Sequence, residues 1–582
     1  MSRTHDLLIS LLGLGVAASL GLAVSACPPH PDLLAKIEAG AQPAPYFLAH
    51  RPALRVQGVS TGMTMRRVPD GPPRLVPGQP PASGAYRALA VLVQFSDHPS
   101  AVPAVYFDSL LFDSAGRSLR SYYRDVSYAQ LDIVTLNLPS AHGWRTAPQT
   151  YAWYVNNQNA LGDYPQNSQR LTEDIVDQID PFVNFSQYDN NGDGYVDAVI
   201  LIHSGSGAEK TGSNADIWSH QWAITPRLKD GVYISDFTIQ PELWVNPGDM
   251  TIGVYAHELG HAFGVPDLYD TDGTQSRGLG VWCLMAYGSW LGPGGMGGSP
   301  SHPSAWSRIR MGFAAYTNVT ANAVGQEIAA VESGGPIYRL WSGGSPSPEY
   351  FLVENRQRTG YDSYLYSSGL FIWHIDETKA TADNTDNTQE WWPGAGMNPA
   401  EHYRVALEQA DGLWELEKRL DYGDAGDPFP GALDRRVFDA TTTPNSDSYL
   451  AGTSFTKVDN ISPSAAVMTA DLIVGLAADV DSGDDNPTLP AAFELAQNYP
   501  NPFNPSTTIS FELSGPMHVT LEIFNIVGQR VRTLMDGPAE AGRTERTWDG
   551  CDEAGRTAAS GLYLYRLTTG SGSRARKMLL LK

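Results

Sequence analysis

Residues 251–267 read TIGVYAHELGHAFGVPD and hold the strongest chemical signal in the chain. His257 and His261 stand four apart, so on a helix they share one face and can offer two imidazole nitrogens to one metal ion. Glu258 follows the first histidine, which places a carboxylate within reach of a water polarised by that metal. Two ligands, an activated water and a base are what a zinc peptidase needs. A bare His-Glu-x-x-His is short enough to arise by chance on a helix with two surface histidines. Here Gly264 and Asp267 follow at regular spacing, and a second motif lies downstream. The helix must present its histidines to a cleft while Ile252, Tyr255, Ala256, Leu259 and Phe263 pack inward. Asp249 or Thr251 is expected to cap it.

The second motif lies in a glycine-rich stretch, 278–298, that contains VWCLMAYGS. A methionine is ordinarily core filler. Met285, however, falls where metzincin-type peptidases place a tight methionine turn beneath the metal. Tyr287, two residues on, is expected to donate a hydrogen bond to the oxyanion of the transition state.

A chain of 582 residues exceeds one core and implies several domains. Hydrophobic content of 42% supports globular folding. A net charge of -24 disfavours nucleic acid and anionic membrane surfaces as partners. The three cysteines, Cys27, Cys283 and Cys551, are far apart, so neither a disulfide framework nor a cysteine-ligated zinc is expected. Residues 1–26 read as an export signal: Arg3, an uncharged apolar run from Leu7 to Val24, then small residues. Val24-Ser-Ala-Cys27 also resembles a lipobox, so a lipoprotein anchored at Cys27 is the alternative to simple secretion. Residues 27–84, rich in Pro, Arg and Ala, read as a pro-segment with a short helix over 33–39. Cys27 is its only cysteine, and a thiol plugging the metal is not expected. No later segment is apolar enough to span a bilayer, so no transmembrane anchor is expected after processing.

The catalytic domain is expected over 85–318. Its first elements are a buried strand at 86–95, a helix over 107–126, a strand at 131–138, and a helix at 168–179 capped by Ser168. Strands at 198–203 and 234–239 follow. Between them Asp189, Asn191, Asp193, Tyr195 and Asp197 alternate around Gly194. This matches the first part of an EF-hand-type loop, but the twelfth position is Ile200 rather than Glu, so a structural calcium loop of another fold is the reading. A metal-free Asx-rich turn is the simpler account. A β-rich accessory domain is expected over 319–476, with acidic turns at 383–387 and 421–430 read as solvated loops. An acidic linker (477–490) and a compact unit of short strands (491–582), a small β-sandwich, complete the chain.

With these residues in place, the sequence resembles the immune inhibitor A-type secreted zinc metalloproteases of bacteria. The resemblance covers roughly 28–476. It rests on PPHP at 28–31, HELGHAFGVPDLYD at 257–270, WCLMAYGSW at 282–290, EYFLVENRQ and GLFIWHIDE. It implies a multidomain proenzyme with an α/β metzincin-like catalytic domain, one catalytic zinc and structural calcium. His257, His261 and Asp267 match its zinc-ligand positions, and Glu258 matches the general base. Metzincins usually have His as third ligand, where this chain has Asp267; a carboxylate is an accepted zinc ligand, and Gly264 lets the chain turn back. No Glu occurs between Glu258 and Glu327, which removes a downstream Glu as third ligand. His302 remains the residual alternative, with Asp270 and Asp272 behind it. The last ninety or so residues resemble type IX secretion sorting domains, close to the Ig-like repeat of flagellar hook-cap proteins, through NYPNPFNP and GLYLYR. That implies outer-membrane secretion machinery as a partner and places secretion ahead of lipidation. The expected function is a secreted endopeptidase acting on protein or peptide substrates. A surface adhesin with a vestigial peptidase domain is the rival, and a purely structural zinc a third reading.

Overall fold

A computed structural model describes residues 25–50, 83–271, 276–341, 344, 346–379, 392–393, 401–449, 454–475, 493–501, 503–525, 530–569 and 572–580. The expected export signal before Ser25, most of the pro-segment, Asp272, the turn at 383–387 and the linker lie outside these residues. The chain divides into two compact units, 1–478 and 479–582. Among the described residues no helix is long and apolar enough to cross a membrane.

A six-stranded sheet organises the catalytic part. Its spatial order is Ser25–Ala26, His220–Lys229, Val232–Leu243, Val199–Ser206, Leu89–Gln94 and Arg145–Thr146. The last four run parallel, while the first two pair antiparallel at one edge. The apolar runs of the inner strands follow from burial on both faces. Ala90, Leu92, Ile200 and Ile202 point into one core and Leu89, Val91, Val199 and Leu201 into the other. The first core takes the helices Val105–Phe112, Leu119–Val126 and Gly253–Ala262; the second takes Ser168–Ile179.

Several elements differ from expectation for local reasons. The single helix expected over 107–126 is two, broken at 113–118, where Gly116 has φ of +76° and Ser118 caps the second helix in a capping box. The strand at 131 ends at Val134. Asn167, not Ser168, caps the helix that follows it, accepting from the Arg170 amide. Neither Asp249 nor Thr251 caps the histidine helix. The Asp249 carboxylate accepts the amides of Trp244, Val245 and Asn246, and the Thr251 hydroxyl donates to the Met296 carbonyl.

The β-rich part holds a five-stranded and a three-stranded sheet. It does not stand apart from the catalytic part: Leu352, Phe371, Trp373 and Ile375 share a core with Trp282, Met285 and the histidine helix. The unit 479–582 packs a three-stranded and a four-stranded sheet around Phe511, Leu521, Trp548 and Tyr565. The tail 572–580 forms its last strand.

Candidate metal centre

The histidine helix runs from Gly253 to Ala262 and is wholly buried over its first nine residues. Gly264, at φ of +83°, turns the chain so that Asp267 returns to the same face. His257, His261 and Asp267 each offer one ligand atom, and these atoms lie within 4.8 Å of one another. Nδ1 of His257 lies 3.0 Å from the Leu284 carbonyl and Nδ1 of His261 lies 2.9 Å from that of Val265. A carbonyl can only accept, so both Nδ1 atoms carry the proton and both Nε2 atoms turn a lone pair inward. Asp267 Oδ1 stands 3.0 Å from one Nε2 and 3.3 Å from the other. Lone pairs converging at this range fit a cation among them, and Nε2 of His261, buried, has no hydrogen-bond partner. Burial alone would raise the Asp267 carboxyl, but His261 and His257, when protonated, hold it well below the usual range. A two-His, one-carboxylate set of this kind fits zinc.

Glu258 is fully buried beside this set. Burial first, then the charges of Asp267 and Glu209, push its carboxyl well above the usual range. The backbone N–H groups of Cys27 and Gln221 lie near enough to temper that rise, without closing a hydrogen bond of ordinary geometry. Glu209, itself pushed up to about 7 by burial, is held by the hydroxyl and amide of Ser219.

Met285 lies against the histidine helix. A side chain at Gly260 would come within 2.7 Å of its sulfur, and its carbonyl accepts the Leu268 amide at 2.7 Å. Tyr287 is also buried. Its ring meets those of Tyr269 at 5.9 Å and Tyr422 at 4.7 Å, while Tyr269 is the tyrosine next to the His257 ring, at 6.3 Å. Tyr269 was not singled out from sequence; its place in PDLYD, two residues past Asp267, is the signal that could have found it. His302 is not near the ligand set: its Nε2 meets Asp125 at 3.2 Å and its amide donates to Asp362. Asp270 accepts the Ser276 amide at 2.9 Å and is not among the three converging ligands.

At 189–197 the carboxylates take backbone amides. Asp189 accepts from Gly192, Asp193 and Gly194, Asp193 from Tyr195, and Asp197 from Asn190, with Asn191 also donating to Asp197. Among the described residues the loop is not one of the two places where three or more His, Cys, Asp or Glu ligand atoms gather. The other is the group Asp411, Glu415 and Asp424, partly exposed near the acidic turn at 421–430.

Cys27, from which no thiol plug of the metal is expected, is wholly buried beside Glu258, where burial, then the charges of Glu258, Glu209 and Asp267, raise its thiol well above its ordinary value. Its sulfur is not one of the converging ligand atoms. The Cys27 sulfur has no solvent exposure in this conformation. The cause is a pairing invisible in the linear sequence: Ser25 and Ala26 add to the sheet edge opposite Gln221 and His220. The expected boundary after Ala26 falls inside this ordered stretch. Beyond it, the Cys27 carbonyl accepts from the Trp218 indole (2.9 Å), the Pro28 carbonyl accepts from Trp290 (3.0 Å), and His30 leans on Trp290. A helix, Pro31–Glu38, then ends with Glu38 paired to Arg277 and Arg419.

A profile of the immune inhibitor A peptidase M6 catalytic domain matches residues 104–314, and one of the FlgD Ig-like domain matches 498–573. The pre-pro-metalloprotease PrtV of Vibrio cholerae is 28% identical over 278 residues, 38% of this chain and 29% of its own length. Immune inhibitor A of Bacillus thuringiensis is 37% identical over 183 residues, 26% of each. The chain thus spans under a third of the length of these curated relatives. A solved FlgD from P. aeruginosa aligns over 13% of this chain and 58% of its own at 22% identity and a TM-score of 0.11, too little to bear on the fold. Residues 104–314, which hold the converging histidines and Met285, are thus similar to the catalytic domain of the immune inhibitor A peptidase M6 family.

Proposed function

We propose that the protein is a secreted zinc endopeptidase that folds as a latent precursor. The observation that carries this reading is the convergence of His257, His261 and Asp267 within 4.8 Å beside the buried Glu258. A zinc ion held by these three side chains would supply a Lewis acid for water and for the scissile carbonyl. Glu258 accepts the proton of the attacking water and passes it to the leaving amine. The Leu284 and Val265 carbonyls keep the imidazoles in the tautomer that faces the ion. Latency is supported by residues 25–30, which cover the sheet edge and the cleft.

The export signal and the Ig-like unit support secretion through outer-membrane machinery, with proteins or peptides as substrates. Calcium in the 189–197 loop is proposed as structural, on the alternation of its oxygen side chains. The adhesin reading is disfavoured because ligands and base are all present and brought together, and a purely structural zinc because a carboxylate base stands next to the site.

Replacing Glu258→Gln is expected to retain about one zinc per chain and to cut casein hydrolysis by roughly 10²–10⁴-fold. Full hydrolysis by that variant would sink the mechanism. The same metal analysis tests calcium, which should be found in the intact protein and lost in Asp189→Ala; a preparation without calcium refutes that part.

A further inference from the structure

The N-terminal segment lies in the cleft as a bound peptide. Ser25 and Ala26 pair antiparallel with Gln221 and His220 on the edge strand, which is how an extended substrate adds to a sheet edge. The Ala26–Cys27 peptide group is held on both sides. Its N–H donates to the Ser219 carbonyl at 3.2 Å, with the Glu258 carboxylate adjacent, and its carbonyl accepts the hydroxyl of Tyr269. The amide thus faces the group that would protonate a leaving amine, and the carbonyl faces a phenol beside the His257 ring. Both faces match a scissile bond.

We infer that Tyr269 is a catalytic residue of this site, the donor to the carbonyl oxygen of the bond being cleaved, and that Ala26–Cys27 occupies the scissile position in the chain that still carries its export signal. The inference rests on the peptidase reading and deepens it. The Tyr269 ring lies 6.3 Å from that of His257 and 5.9 Å from that of Tyr287. Tyr269 is wholly buried, so its hydroxyl is held in place before the reaction. A donor fixed in a dry site strengthens its hydrogen bond as the carbonyl oxygen gains charge, and needs no reorganisation to do so. In the precursor that hydroxyl is engaged by Ala26; a substrate would take the same bond once the segment has left.

The test uses the protein in the form that hydrolyses casein, comparing wild type, Tyr269→Phe and Tyr287→Phe. Phe keeps the ring contacts with His257 and Tyr287. Tyr269→Phe is expected to retain zinc and melting temperature, to leave KM within about threefold, and to lower kcat by about 10²–10³-fold, the loss that follows removal of one oxyanion donor. Affinity for a phosphinic pseudopeptide of the Ser25–Pro28 sequence, a transition-state mimic, is expected to fall by the same factor as kcat/KM, while a plain product peptide binds as before. An unchanged kcat, an unchanged phosphinic affinity, a loss of zinc or fold that makes the role structural, or a loss confined to Tyr287→Phe would each overturn the assignment. Wild type without hydrolysis in any form refutes the peptidase reading instead.

Discussion

Single side chains in this protein are tuned mainly by burial. Glu417 shows it away from the metal centre: burial pushes its carboxyl up to about 7, against one hydrogen bond from Gln409 at 2.6 Å. The folded chain therefore keeps a proton that the unfolded chain, with a Glu near 4.3, gives up. Folded stability then falls as pH rises from about 4.3 to about 7 and levels off above, by an amount on the order of 3 kcal/mol. Glu417→Gln is expected to remove that part of the slope, raising stability at pH 8 and leaving it nearly unchanged at pH 5. Urea unfolding at the two pH values checks it, and an equal shift at both would contradict the cause. At the same scale, His257, Glu258 and His261 were legible from sequence because one helix carries them at fixed spacing. Tyr269 was not, since what marks it is the carbonyl its hydroxyl meets.

The histidine helix is positioned by close backbone approach as much as by its apolar residues. At its first residue, Gly253, a methyl group would run into the Ser289 carbonyl and come within 2.8 Å of Gly297 Cα. Those atoms are backbone and cannot swing away. At Gly260 the obstacle is the Met285 sulfur, at 2.7 Å, on a flexible side chain. Overpacking costs about 1–3 kcal/mol, and more where nothing can yield. Gly253→Ala is expected at or above the top of that range and Gly260→Ala near the bottom, with zinc affinity falling in the first. Denaturant unfolding with metal analysis measures both, and the reverse order would contradict this account. Period and composition reveal such a helix. They do not reveal its caps: Asp249 has three backbone amides of its own loop to satisfy and is not available to the helix.

In the unit 1–478 the β-rich part is bolted to the catalytic part through buried charge. Arg356, fully buried on the strand Glu349–Arg356, donates to the carbonyls of Trp282 and His302 and pairs with Asp362 at 2.8 Å. Arg308 and Glu354 form a second buried pair. Removing one partner of such a pair costs about 3–5 kcal/mol because the other charge stays buried. Arg356→Met is therefore expected to lower the stability of this unit by that amount, read by calorimetry. A change under about 1 kcal/mol would show that the two parts hold together by apolar packing alone. The boundary expected at 318/319 is a change of strand pattern along the chain; it does not mark a break in the core, because the residues on either side fill one cluster.

The sequence by itself determined the metal motif, the methionine turn, the inner strands and the β-sandwich repeat, because each is written in local spacing: four residues on a helix, two on a strand. Only the tertiary structure decided which distant residues share the cleft. It brings Asp267 to the histidines and leaves His302 with Asp125. It sets Tyr269 beside the His257 ring. It lays Cys27 against Glu258, more than two hundred residues away, through a two-residue strand at a sheet edge. Pairing between strands is made by main-chain hydrogen bonds that every residue type can form. Side-chain identity at 25–27 therefore carries almost no record of its partner, and the contact exists only once the sheet has an edge to receive it.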